Sequence, residues 1–146
     1  MLAAVYHGKQ DIRVIDIPKP KIGPNELLIK VLSASICGTD MRIYNGVHRF
    51  YPEGTRRVPG HEVVGTIAEV GQELDGTFSI GRRVFIAPNM GCGHCVQCIS
   101  GNNNLCASYD AIGITIDGGF AEFMRVPANA VQQGCVINID DAVDPA

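Results

Sequence analysis

The chain has 146 residues, 46% of them hydrophobic and 18% charged, with a net charge of −3. That length suits one domain with its own core, and the balance excludes a disordered chain. With no basic run, no apolar stretch near the ~20 residues of a membrane span and no charged leader before an apolar segment, nucleic acid and membrane are excluded as partners and a small molecule is expected.

Short β-rich runs punctuated by Gly and Pro dominate the chain, and no stretch holds a long helical period. Leu2 to Tyr6 and Ile12 to Ile17 flank a turn at His7 and Gly8 and are expected to form a hairpin, which Pro18 and Pro20 end. Glu26 to Ala34 is a continuous apolar run fit for a buried strand. His61 to Val70, closed by Gly71, and Arg83 to Ala87, closed by Pro88, are two more. After a long Gly-rich cysteine loop, Phe120 to Val126 follows Gly118 and Gly119 and ends at Pro127. Many short strands separated by turn signals read as mostly β, a barrel or a sandwich, with the cysteine loop as an excursion. No internal repeat or low-complexity segment is present.

Cys92, Cys95, Cys98 and Cys106 fall within fifteen residues. Thiolates two residues apart on a glycine-rich loop can converge on one zinc ion at about 2.3 Å. Disulfides between such close neighbours would need awkward small loops, and nothing in the chain points to secretion. A ferredoxin-type cluster would require the fourth Cys after three residues and a following Pro; here it comes after seven and precedes Ala107. Zinc is the expected metal. Four protein ligands leave no open position, so this zinc is structural and chemistry must lie elsewhere. Six cysteines without a secretory leader place the chain in a reducing cytoplasm.

A second constellation lies where strands begin and end: Cys37, Gly38, Thr39 and Asp40 after one, Gly60, His61 and Glu62 entering the next. A Cys37 thiolate and a His61 imidazole would supply two of the three protein ligands of a catalytic zinc, with Glu62 as the candidate third. Adjacent strand residues point to opposite faces, so His61 and Glu62 share an ion only if the backbone there is not regular strand. Taken singly, each residue reads as readily as a core thiol, a satisfied imidazole and a solvated carboxylate.

Together with Gly81-Arg82-Arg83-Val84, the four-cysteine loop and Gly119-Phe120-Ala121-Glu122-Phe123, these residues resemble the zinc-dependent alcohol dehydrogenases of the medium-chain dehydrogenase family, in the polyol and threonine dehydrogenase-like subgroup. The resemblance spans nearly the whole chain. It implies that residues 1–146 are the N-terminal catalytic domain, a distorted, partly open β-barrel like GroES with short helices and a zinc-binding cysteine loop. A Rossmann domain binding NAD or NADP would follow in the full-length protein, which would assemble with copies of itself.

By the same resemblance Cys37 and His61 hold the catalytic zinc, Glu62 ligates it or stands beside it, and Cys92, Cys95, Cys98 and Cys106 hold the structural one. Thr39 takes the proton of the bound alcohol, and Asp40 orients His61. The implied activity is oxidation of an alcohol or polyol through a zinc alkoxide, with hydride transfer to NAD(P). No Gly-x-Gly-x-x-Gly string is present, so the fragment alone is expected to be inactive. The alternative is a standalone zinc-stabilised β-domain with a binding or scaffold role. Arg42 stands where some members carry a His that passes the proton to solvent, a task an always-charged guanidinium does not suit. Of the remaining candidates, Tyr44 and His48 could line a substrate pocket, His94 reads as a solvent-facing turn residue, Cys135 as a buried apolar residue, and His7 has no assigned role.

Overall fold

A continuous apolar run in one case and alternating buried residues in the other drive the two longest strands of the computed structural model, which describes residues 1–140 and 142–143. The elements run β1 (Leu2–Gly8), β2 (Asp11–Asp16), β3 (Leu27–Ser35), α1 (Gly38–Tyr44), β4 (Glu62–Val70), β5 (Arg83–Ile86), β6 (Asn89–Met90), α2 (Val96–Ile99), β7 (Asp110–Ala111), β8 (Phe123–Val126), α3 (Ala128–Gln132) and β9 (Val136–Asn138). Two short 3-10 turns, Gln72–Leu74 and Asn103–Leu105, complete them. The chain is mostly β with short helices, as its punctuated apolar runs imply.

The strands form a five-stranded antiparallel sheet in the order β8-β3-β4-β5-β9 and two separate pairs, β1-β2 and β6-β7. The expected partly open barrel is therefore not formed: among the described residues no sheet closes on itself. The reason lies in residues 118–122. The ladder between β3 and β8 covers only Leu27–Lys30 against Val126–Phe123. Upstream of it, Gly118, Gly119 and Phe120 turn away to bond Val58, Gly60 and Pro59. β1 meets this segment at a single bridge, Ala3 to Ala121, closed by the Ala4 N–H on the Phe120 carbonyl and the Glu122 N–H on the Leu2 carbonyl, which is too short to make a ladder. Pro18, Pro20 and Pro24 interrupt the chain between β2 and β3, so the hairpin packs beside the main sheet without extending it.

The hairpin turn also differs from its expected place. His7 and Gly8 belong to β1, whose register shifts between Tyr6 and Gly8, and the turn falls at Lys9 and Gln10, with Gln10 at φ 59°. A bulge at His7 moves the reversal two residues along. The Gln10 N–H then donates to the Tyr44 carbonyl, docking the turn on the end of α1.

Leu27 and Ile29 of β3, Val63 and Ile67 of β4, Val84 and Ile86 of β5, and Met124 and Val126 of β8 form the main core. A smaller cluster of Tyr6, Ile43 and Tyr51 fixes α1. Ile43 is fully buried, and the two tyrosine rings meet edge to face at 5.0 Å. This anchors a helix of seven residues, too short to be stable alone.

Candidate metal centres

In the cysteine loop, α2 and the 3-10 turn at Asn103–Leu105 fold back on β6 and bring the four sulfurs together. Sγ–Sγ separations are 3.9 Å for Cys92–Cys98, 3.5 Å for Cys95–Cys98 and 3.8 Å for Cys95–Cys106. Four sulfurs about 2.3 Å from one centre define tetrahedron edges of about 3.8 Å, so the observed spacing fits zinc. All six cysteines are free, and none of these separations approaches the ~2.05 Å of a disulfide. Gly91 is required here: a Cβ on it would lie 2.4 Å from Cys98 Sγ.

Backbone N–H groups of His94 and Cys95 bring the Cys92 thiol down to about 6. Desolvation and then the neighbouring thiols push Cys98 up to about 11. One sulfur ionises easily and another resists, as expected of a cluster whose negative charges await a cation. His94 is exposed, with its Nδ1 2.9 Å from the Cys92 carbonyl oxygen, and is outside this tetrad.

The second centre is assembled from two turns. Cys37 is the N-cap of α1, with extended backbone; its Sγ accepts the Thr39 N–H (3.3 Å), and Asp40 Oδ2 accepts the Cys37 N–H (3.0 Å). The result is a capping box in which the cap side chain is a thiol. His61 lies just outside β4, on a turn set by Gly60 at φ +93°. A Cβ on Gly60 would fall 2.7 Å from the Phe120 backbone nitrogen, so no other residue allows this approach. Because His61 is off the strand and Glu62 is its first residue, both reach one point. Cys37, His61 and Glu62 offer ligand atoms all within 4.8 Å of one another.

His61 Nε2 lies 2.9 Å from Cys37 Sγ. Its Nδ1 faces Asp40 Oδ1 at 3.5 Å; both atoms are buried and neither has another partner. A ligating imidazole commonly turns its second nitrogen to a carboxylate, so this buried pairing fits a metal held at Nε2. A thiolate, an imidazole and a carboxylate suit zinc. The Asp40 hydrogen bond raises His61 to about 9 against the opposing effect of burial. Burial pushes Asp40 up, yet His61 and the Cys37 N–H outweigh it and hold the carboxyl below its usual range. Cys37 is likewise held low, burial being overcome by Thr39 and His61. Thr39 is half-buried beside the Cys37 sulfur, and Glu62 is exposed.

Of the other candidates, His48 lines a cavity next to α1, whereas Tyr44 is exposed at the helix end. Cys135 is buried in the main core. Arg57 was not marked by any sequence pattern. It donates to the Phe50 and Ile114 carbonyls and stacks 5.0 Å over Tyr51, joining two loops beside the second centre. An arginine leading into the buried run Val58-Pro59-Gly60 was its only signal.

Comparison with known proteins finds the family described as "Alcohol dehydrogenase GroES-like domain" matching residues 23–136. The chain is 43% identical over 123 residues to an L-threonine 3-dehydrogenase of Shewanella woodyi, covering 82% of this chain and 35% of the relative. Among solved structures, a short-chain alcohol dehydrogenase (RspB) of Escherichia coli CFT073 complexed with NADH aligns with a TM-score of 0.86 at 32% identity, over 99% of this chain and 40% of that one. Galactitol-1-phosphate dehydrogenase of Escherichia coli aligns with a TM-score of 0.85 at 30% identity, over the same shares. The chain thus spans about a third of the length of the curated relatives it matches.

Proposed function

The chain belongs to the alcohol dehydrogenase GroES-like domain family, and we propose that it is the alcohol-holding catalytic domain of a zinc-dependent, NAD(P)-linked dehydrogenase acting on an alcohol or polyol. The observation that carries this reading is the convergence of Cys37, His61 and Glu62 with Asp40 behind the imidazole. Zinc there supplies the Lewis acidity that makes an alcohol hydroxyl acidic near neutral pH, and nicotinamide supplies the hydride acceptor.

The chain's own residues do the rest. Asp40 accepts the His61 Nδ1 proton and leaves Nε2 free to ligate. Cys37, held by the first turn of α1, keeps its sulfur low in pKa and aimed at the same point. Thr39 Oγ1 takes the substrate hydroxyl proton as it leaves, and Glu62 ligates or stands beside the metal at the exposed side. Cys92, Cys95, Cys98 and Cys106 would brace the loop through a second zinc. Relatives named for L-threonine and galactitol 1-phosphate act on polar, hydroxyl-bearing compounds, and we extend that class to this chain. A Rossmann unit following this domain would bind the dinucleotide, and the whole protein would self-associate and work in the reducing cytoplasm. No helix of the described residues is long and apolar enough to cross a membrane.

Zinc counting joined to an activity assay tests this. The natural gene product should hold two zinc ions per chain and reduce NAD(P) with an alcohol. Cys37→Ser should remove one zinc and bring activity to background. A single zinc indifferent to Cys37→Ser, with no alcohol oxidised, would leave the scaffold reading in its place.

A further inference from the structure

A cavity of about 720 Å³ opens between α1 with the loop after it and the end of the cysteine loop. Arg42, His48 and Arg49 line it, and its walls contain no Asp or Glu, although the chain has 15 acidic residues against 12 basic ones. Other cations are matched, as in Arg13 with Asp11, Lys19 with Glu69 and Arg125 with Glu26. Neither Arg42 nor Arg49 has a carboxylate partner among the described residues.

Both arginines are exposed, and the backbone that carries them is fixed. Arg42 sits on the last turn of α1, next to fully buried Ile43. Arg49 lies 4.5 Å over the Phe50 ring. Arg57 ties the Phe50 wall to the Ile114 wall, and the Tyr51 hydroxyl donates to the Gly113 carbonyl at 2.8 Å. Gly113 itself packs directly on the carbonyl of Gly60, the residue before His61. The cavity walls are therefore fixed to the turn that carries the imidazole. Its field is positive: burial, then Arg42 and Arg49, push the His48 pKa down, and the charges of His61 and Asp40 are felt there too.

Two guanidinium groups lining one cavity without a carboxylate partner are matched by an anion with several acceptor oxygens, which each can engage through two N–H groups. We propose that the substrate carries such a group, a phosphate or a carboxylate, and that Arg42 and Arg49 receive it while its hydroxyl lies at Cys37 and His61. This rests on the dehydrogenase reading and narrows it from alcohols in general to anionic ones. It also gives Arg42 a purpose that proton relay does not.

The test uses matched pairs with the natural gene product: galactitol 1-phosphate against galactitol, and L-threonine against L-threoninol. In at least one pair the anionic member should have a kcat/KM at least tenfold higher, and the pair that shows it identifies phosphate or carboxylate. In Arg42→Gln/Arg49→Gln, checked for fold and zinc content, that ratio should collapse toward one, through KM. Equal use of neutral and anionic members, or a ratio that survives in the double variant, overturns the proposal while leaving the dehydrogenase standing. If no alcohol is oxidised, the dehydrogenase reading fails, and titration of the zinc-loaded chain with inorganic phosphate decides the anion site. Saturable shifts of the Arg42 and Arg49 side-chain N–H signals, weakened at least tenfold by the double substitution, sustain it; no saturation overturns it.

Discussion

Asp40→Asn separates the shape of the second centre from its charge. Asp40 is buried, donates nothing, and accepts from the Cys37 N–H at 3.0 Å while facing His61 Nδ1 at 3.5 Å. Asparagine can keep the cap to Cys37 through its carbonyl oxygen, so α1 should stay folded. What is lost is the negative charge. A metal-bound His61 is a neutral imidazole whose Nδ1 proton, 3.5 Å from Asp40 Oδ1, is accepted better by a carboxylate than by an amide. Changes to such outer partners of metal-bound histidines typically weaken metal affinity about 10- to 100-fold, or roughly 1.4–2.7 kcal/mol. Competition with a chelator of known affinity measures this, and the four-cysteine zinc in the same chain serves as an internal control. Asp40→Asn should weaken one zinc by that factor and leave the other unchanged. Equal affinity in variant and parent would refute the assignment of Asp40 as the residue that orients His61.

Two further outcomes are expected. In protein lacking zinc at the Cys37–His61 centre, His61 is raised from 6.5 to about 9, chiefly by its Asp40 hydrogen bond. A group raised on folding contributes stability that is complete below its unfolded pKa, so His61 should stabilise fully below about 6.5 and lose that contribution as pH rises through about 9. Melting temperature followed over this window should fall for the parent and change less for Asp40→Asn; identical profiles would contradict the pairing. Gly91→Ala would place a methyl 2.4 Å from Cys98 Sγ. Overpacking of that kind costs about 1–3 kcal/mol, so cobalt(II) affinity read by thiolate charge-transfer absorption should drop at least fivefold, and an unaltered titration would show that the loop yields.

The strands built on long apolar runs were legible because their signal is local. Leu27–Ser35 and Glu62–Val70 carry enough β-branched and aliphatic residues, bounded by Pro or Gly, to announce themselves. β9 was not legible: it has three residues, two of them exposed, and exists only because β5 offers a free edge. The barrel expectation failed for a related reason. A count of strands says nothing about which edges meet, and residues 118–122 divide their bonds between the Gly60 loop and a single bridge to β1, too few to make a ladder. The four cysteines were readable as a set since all lie within fifteen residues. The spacing alone left open whether His61 and Glu62 could share an ion, because that depended on where β4 begins. Arg57 was not legible, since a clamp between residues 50 and 114 leaves no periodic trace in the sequence.

The contacts around Gly60 impose a schedule on how the protein is made. The four sulfurs of the cysteine loop lie within fifteen residues, and the last ligand, Cys106, leaves the ribosome before Gly113, while Gln133, which clasps Gly91 through both of its amide atoms, follows later. The His61 turn, by contrast, is held by the carbonyls and amides of residues 58–60 against 118–120, and by Gly113 lodged on Gly60. During synthesis the first metal can be captured while the second site is still half unbuilt, with Cys37 and His61 present but not yet locked in register. A nascent chain would therefore meet zinc in a fixed order, filling the scaffold position before the reactive one.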